Sequence, residues 1–150
     1  MGEKYVDAMP LAAALLRRPT VVVRHEIMAG LAAAGYDDIL PAHLGVFQHP
    51  GPDGVRPGVL AQRTYASKQA MNHLLHQLEE GGYLVRETAT GDRRTRIVRL
   101  TDRGWDAASV IQQTMREVEK AWAVVLGDET YRELRHGLTR LEEVLDEVRT

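Results

Sequence analysis

SKQAMNHLLHQLEEGGYLVRETATGDRRTRIVRLTDRG, residues 67–104, holds the signals on which the fold turns. Ser67 is a suitable N-cap for the helical run that follows it, and Gly81-Gly82 is a natural stop. Tyr83–Glu87 and Arg94–Leu100 are strand-like runs separated by TATGD, which predicts a hairpin with Gly91 near its tip. Thr101 then caps another helix. Between Gly91 and Gly104 the chain places five arginines, although its formal net charge is −2. Exposed arginines on a two-stranded ribbon add little to stability and repel one another. Beside a helix that reads a polyanion, the same charges can reach a phosphate backbone and a narrow minor groove.

On a helical wheel Ala70, Met71, Leu74, Leu75 and Leu78 gather on one side and predict the core face. Gln69, Asn72, His73 and His76 gather on the other, where a solvent-facing helix usually carries Glu and Lys. Amides that donate and accept together match an adenine edge, and histidine can donate to a phosphate or to guanine. Ser67 and Lys68 sit at the helix N-terminus, whose unpaired N–H groups suit a phosphate. In the hairpin the candidate contacts are Arg93, Arg94 and Arg96, with Asp92 placed to hold and aim the Arg94 guanidinium. The plainer alternatives are a polar helix face that touches nothing and a solvated turn with an internal ion pair. His73 and His76 have zinc-ligand spacing, but no third ligand stands near them in sequence, so no metal is expected.

Working outward, PGVLAQR (Pro57–Arg63) predicts a short helix, with Thr64–Ala66 as a turn and Pro41–Phe47 as an earlier short helix. HPGPDG (His49–Gly54) is a loop. Leu11–Tyr36 reads as helix, expected to break or shift at Pro19 with Thr20 as a second cap. After the hairpin, Ala108, Ile111, Met115, Val118, Trp122 and Val125 mark one face of a helix over Trp105–Leu126. Gly127 breaks it. Asp128 caps a last helix with a narrow seam of Leu134, Leu138, Leu141, Leu145 and Val148. An isolated winged domain cannot cover both stripes, which predicts a helical two-fold dimer. Two reading helices then call for an inverted-repeat site with half-sites about one DNA turn, ~34 Å, apart. The expected fold is mainly α with a small β-hairpin wing: a winged helix-turn-helix region at 38–104, flanked by dimerisation helices in 1–37 and 105–150.

Charge distribution agrees. Residues 56–104 carry nine basic and five acidic side chains, whereas 1–55 carry four and six, and 105–150 six and ten. A basic centre between acidic ends suggests a local anion-binding surface. The 150-residue chain has no cysteine, which excludes disulfides and thiolate metal sites. Glu3 and Asp7 spoil a positively charged leader, and no uncharged apolar run is long enough to span a bilayer. A cytoplasmic protein is expected, with no membrane partner.

The segment from Ala66 to Gly104 resembles the core of the MarR family of winged-helix transcriptional regulators. The likeness includes a D-x-R wing followed by L-T-x-x-G, here Asp92, Arg94, Leu100, Thr101 and Gly104. The resemblance implies a double-stranded DNA-binding regulator, a repressor, in which the N- and C-terminal helices of two copies interleave. It also implies Gln69, Asn72 and His73 in the major groove and Arg94, set by Asp92, in the minor groove. Family members bind small anionic or aromatic effectors between dimer helices and winged domain. By sequence position Tyr36, His43, Phe47 and Trp105 could line such a site or belong to the core. One departure stands out: Thr64-Tyr65-Ala66 replaces a turn in which the family commonly has glycine, so the turn changes geometry or the phenol adds a phosphate contact. The Gly81-Gly82 pair, where one residue is often larger, predicts loose packing at that helix end. A rival reading is a winged-helix protein-interaction module without DNA binding. No glycine loop for nucleotides, metal-ligand cluster or serine-histidine-acid pattern suggests an enzyme, and no cofactor is called for.

Overall fold

Capping residues and glycines place most of the element boundaries. The computed structural model describes residues 10–48, 51, 53–89, 91 and 94–148. In order they form α1 (Ala12–Ala33), a 3-10 turn (Pro41–His43) continuing into α2 (Leu44–Phe47), α3 (Pro57–Thr64), α4 (Lys68–Glu80), β1 (Leu84–Thr88), β2 (Arg96–Leu100), α5 (Asp102–Leu126) and α6 (Asp128–Val148). The chain is mainly helical with a two-stranded antiparallel hairpin, as its sequence predicts. No helix among the described residues is long and apolar enough to cross a membrane.

α1 corrects one expectation: Pro19 lies inside a continuous helix. The Leu15 carbonyl that loses its N–H partner is on an exposed turn, where water can replace the bond. Thr20 does not cap a second helix; its hydroxyl donates back to the Leu16 carbonyl at 2.8 Å. α4 begins as expected, with Ser67 Oγ accepting the Ala70 N–H at 3.1 Å. Its core face is narrower than the wheel suggests. Met71, Leu75 and Leu78 are buried, Leu74 is half-buried and Ala70 is exposed. At about 100° per residue, Ala70 lies roughly 100° from the centre of the buried stripe, too far round to meet the core.

The hairpin pairs Leu84 with Leu100, Arg86 with Val98 and Thr88 with Arg96. Val55 adds a short third rung, exchanging backbone hydrogen bonds with Val98 at 2.9 and 2.8 Å and tying the loop before α3 to the sheet. Leu60, Met71, Leu75, Leu84, Val98 and Leu100 close the winged core, which continues into Ile27 and Leu31 of α1 and into Ala107 and Ile111 of α5.

Along α5 the apolar face changes its company. Ala108 and Ile111 are buried against α1, Met115, Val118 and Trp122 are half-buried, and Val125 is 84% exposed. The first half of this stripe is therefore satisfied within the chain, which corrects the view that the whole stripe waits for a partner. The α6 seam is different: Leu134, Leu138, Leu141 and Leu145 are all exposed.

Tyr65 closes α3 in the left-handed conformation, φ 56° and ψ 27°, and is the only non-glycine with positive φ among the described residues. The Ala66 N–H donates to Ala61 O at 3.0 Å and the Tyr65 N–H to Gln62 O at 3.4 Å, the pattern of a helix end that normally places glycine at this position. A side chain there costs on the order of 1 kcal/mol. The turn geometry of a glycine is thus kept without the glycine.

Candidate nucleic-acid interface

The surface of α4 opposite its buried stripe presents Gln69, Asn72, His73 and His76, all exposed, with Lys68 and the capping Ser67 exposed at its start. His76 Nε2 lies 3.5 Å from Glu80 Oε1, one turn on. Two charged residues from the hairpin meet this helix. Asn72 and Glu79 of α4, Pro57 at the start of α3, Arg86 of β1 and Arg96 of β2 line one groove of about 360 Å3. Within it the Glu79 carboxylate is held 3.3 Å from Arg86 Nε, leaving Arg96 as an exposed cation beside the amide of Asn72. The wing and the helix predicted to read a duplex share one concavity, open to solvent.

The described arginines of Gly91–Gly104 do not form one patch. Arg94 and Arg96 are exposed. Arg99 is half-buried and its Nε donates to Glu87 on the facing strand at 3.2 Å. Arg103, whose side chain is 49% exposed, lies along the protein surface: its Nη2 donates to the Tyr83 hydroxyl at 2.9 Å and lies 3.8 Å from Asp38 Oδ1. Its guanidinium stacks 4.6 Å above the Tyr83 ring and 5.7 Å from that of Tyr36. Asp92 and Arg93, and with them the expected aiming of Arg94 by Asp92, lie outside the described residues.

The knot around Tyr83 explains the L-T-x-x-G run in physical terms. Leu100 enters the core. The Thr101 hydroxyl accepts the Gly104 N–H at 3.1 Å, capping α5, and donates to Gly82 O at 2.6 Å. Gly104 passes so close to the Tyr83 carbonyl that a Cβ would fall on its oxygen. The Tyr83 hydroxyl in turn donates to Asp38. Burial first, and then the hydrogen bond to Asp38, raise the Tyr83 phenol above its ordinary pKa, with Arg103 acting in the opposite direction. Gly81 belongs to the same knot, since a Cβ there would meet the Tyr83 ring at 2.8 Å. The expected loose packing at the end of α4 is corrected: the small residue makes room for tyrosine.

Of the four residues proposed to line an effector site, His43 and Phe47 are buried and Tyr36 packs half-buried against the core. His43 is buried; its Nδ1 accepts the Leu40 N–H at 2.9 Å, which leaves Nε2 to donate to Gln77 Oε1 at 2.9 Å. Phe47 meets the Tyr83 ring edge-on with centroids 6.2 Å apart, and Tyr36 is tilted against the same ring at 6.1 Å. Trp105, 39% exposed, stands apart on the first turns of α5. A cavity of about 440 Å3 opens elsewhere, walled by α1, α2 with the 3-10 turn before it, the end of α3, α5 and α6, with Arg24, Arg63, Met115 and Trp122 among its residues. Tyr36, His43, Phe47 and Trp105 are not among its walls. Sequence reading had no signal for it, because its walls come from five helices spread along the chain.

A family model described as the MarR family matches residues 44–95, from α2 to the tip of the wing. The transcriptional activator BadR of Rhodopseudomonas palustris is 28% identical over 109 residues, 72% of this chain but only 61% of that protein. The HTH-type transcriptional repressor Rv2887 of Mycobacterium tuberculosis is 28% identical over 127 residues, 85% of this chain and 90% of that one. A crystal structure of Rv2887 in complex with salicylic acid superposes with a TM-score of 0.65 at 27% identity, covering 90% of this chain and 98% of the other. The crystal structure of MarR superposes at 0.80 over 97% of both chains, with 22% identity, a likeness of fold.

Proposed function

This chain belongs to the MarR family of winged-helix, DNA-binding transcriptional regulators, and from that premise we propose that it acts as a homodimer on an inverted-repeat operator. The observation that carries the reading is the shared groove of Asn72 and Arg96, which sets a base-reading amide beside a wing cation. In the proposal Gln69, Asn72, His73 and His76 face base edges in the major groove, Ser67 and Lys68 meet phosphates, and Arg94 and Arg96 follow the adjacent backbone and minor groove. The winged region, 38–104, carries the duplex, while 1–37 and 105–150 hold the two copies together. The exposed leucine seam of α6 and the exposed apolar end of α5 support that division. Repression is the proposed sign of regulation, since the alignment spans most of the repressor Rv2887 and less of the activator BadR.

We further propose that a small aromatic carboxylate modulates DNA binding from the cavity of about 440 Å3. Arg24 and Arg63 supply cations at its walls, and Met115 and Trp122 supply apolar surface. Arg63 ends α3, one turn before the reading helix, so a ligand held there acts on the element that positions α4. This assignment replaces Tyr36, His43, Phe47 and Trp105.

Selection of bound fragments from a random-sequence duplex pool tests the central proposal. It should enrich an inverted repeat with half-site centres about one DNA turn apart. Recovery of no common sequence, or of a single unpaired half-site, would contradict it.

A further inference from the structure

Glu79 is the first carboxylate after Asp53 in the sequence, so α3 carries none and α4 carries none before its last two residues. It stands seven residues, two helical turns, beyond Asn72 and therefore on the same face of α4. A carboxylate there repels the phosphates that this face has to approach. What it meets is a cation of the wing. In the hairpin Arg86 lies opposite Val98 and Arg96 opposite Thr88, which makes the two arginines diagonal neighbours on the face that also buries Leu84, Val98 and Leu100. Both line the groove that Asn72 shares. Arg96 is exposed, whereas the Arg86 side chain is 22% exposed and has the Glu79 carboxylate 3.3 Å from its Nε. That nitrogen is buried and has no aligned hydrogen-bond acceptor among the described residues. Glu79 therefore holds the guanidinium by charge rather than by a bond in line with Nε, and its own side chain, 40% exposed, stays at the surface of the groove.

We propose that Glu79 limits duplex affinity: it holds the Arg86 guanidinium back from the phosphate backbone that docks against this groove. The proposal rests on the duplex-binding reading above and adds to it the residue that restrains the wing. With Glu79 charged, the two arginines and one carboxylate of the groove carry a formal +1; without that charge they carry +2. A phosphate contact strengthens binding to every sequence alike. Withholding one leaves a larger share of the binding to the amides and imidazoles of α4, which meet base edges.

The test uses the full chain, its Glu79→Gln and Arg86→Met variants, the double variant, and a fluorescent mixed-sequence duplex of about three helical turns, titrated across a salt series. Glu79→Gln keeps the shape of the side chain and should bind about three- to tenfold more tightly at low salt, with a log–log salt slope steeper by about one unit, as one further phosphate contact requires. Adding Arg86→Met to it should remove the gain and return the slope to the parent's. Arg86→Met alone should bind more weakly at the parent's slope, because it bares the Glu79 carboxylate and takes away no phosphate contact. A gain of affinity cannot arise from misfolding, so the sign of the first result is decisive. Binding by Glu79→Gln at or below the parent's strength overturns the proposal and makes the pair a tie that holds the wing. A double variant that keeps the steep slope overturns it too, since the gain would then come from lost repulsion and not from Arg86. So does a slope that falls by one unit in Arg86→Met alone, which would mean that Arg86 already meets phosphate in the parent. A parent that fails to bind the duplex even at low salt overturns the duplex reading as well, whereas a parent that binds with variants that match it removes the role of Glu79 alone.

Discussion

The winged region and the far ends of the long helices solve opposite problems with the same residue types. In the first, Leu60, Leu75, Leu78, Leu84, Val98 and Leu100 from α3, α4 and the hairpin are buried, and even a tyrosine is buried with its hydroxyl bonded at both sides. In the second, the apolar residues of the α5 end and the α6 seam remain on the surface. α5 contains both regimes: Ala107 is 0% exposed and Val125 is 84% exposed on one continuous helix. A core that closes on itself supports a rigid reading surface. An open seam offers a surface for the proposed association, and the orientation of two reading surfaces would depend on how it is covered.

The sharpest way to break this comparison is to charge the seam. Leu138→Glu together with Leu145→Glu would bury unpaired carboxylates in any helical dimer, at several kcal/mol per interface. Dimer affinity should fall by about a thousandfold or more, read by sedimentation at micromolar concentration, while the helical circular dichroism of the winged region persists. An unchanged sedimentation coefficient would mean that the seam is not where two copies meet. Next in size is a pair of alanine substitutions, one in each regime. Gly104→Ala drives a methyl onto the Tyr83 carbonyl, a backbone atom that cannot step aside, and should destabilise by about 2–4 kcal/mol. Gly137→Ala, in α6, meets nothing within 4 Å and should stabilise by about 0.5–1 kcal/mol through helix propensity. Equal effects on melting temperature would erase the distinction between a closed and an open region.

Smaller effects sharpen the comparison within the hairpin, where Arg96 in the groove and Arg99 on the Glu87 carboxylate lie three residues apart. Arg94→Ala or Arg96→Ala should weaken binding to every duplex and lower the log–log salt slope by roughly one unit. Arg99→Ala removes a cation already held by Glu87 and should leave that slope unchanged. If Arg99 proved equal to Arg96, charge count rather than position would govern the wing.

These contrasts also show which parts of the molecule could be read from sequence. Ser67 and Thr101 cap their helices through neighbours three residues away, so both helix starts were legible. The exposed face of α4 was legible too, because helical periodicity separates its amides from its leucines. The partners of Arg103 were not, since they are Asp38, 65 positions earlier in the chain, and two tyrosine rings. Val55 was missed for the same reason: its partner Val98 is distant and the bridge is one residue long. Pro19 misled because proline reports the loss of one hydrogen bond, whereas continuation of the helix depends on whether water can reach the orphaned carbonyl. Whether Tyr36, His43, Phe47 and Trp105 belong to the core or to a cavity was not legible, because burial and cavity walls both recruit aromatics, and sequence spacing does not separate the two.

The smallest expected effect concerns the knot that joins the two regions, where Tyr83 at the start of the wing meets Asp38 after α1 and Arg103 in α5. Tyr83→Phe keeps the ring contacts but removes the hydroxyl that donates to Asp38 and accepts from Arg103, and should cost about 1 kcal/mol. Its signature is in the pH dependence. Because burial and Asp38 raise the phenol's pKa in the folded state, folding holds that proton more tightly than the unfolded chain does. The resulting stabilisation is complete below the unfolded value, about 10, and is lost as pH rises through the higher folded value. The parent's melting temperature should therefore drop more steeply than that of Tyr83→Phe above roughly pH 10, while below it the two curves stay parallel. Parallel curves across the whole range would mean that the hydroxyl is wet in the folded chain, and that stacking and Gly104 alone hold the wing to the long helix.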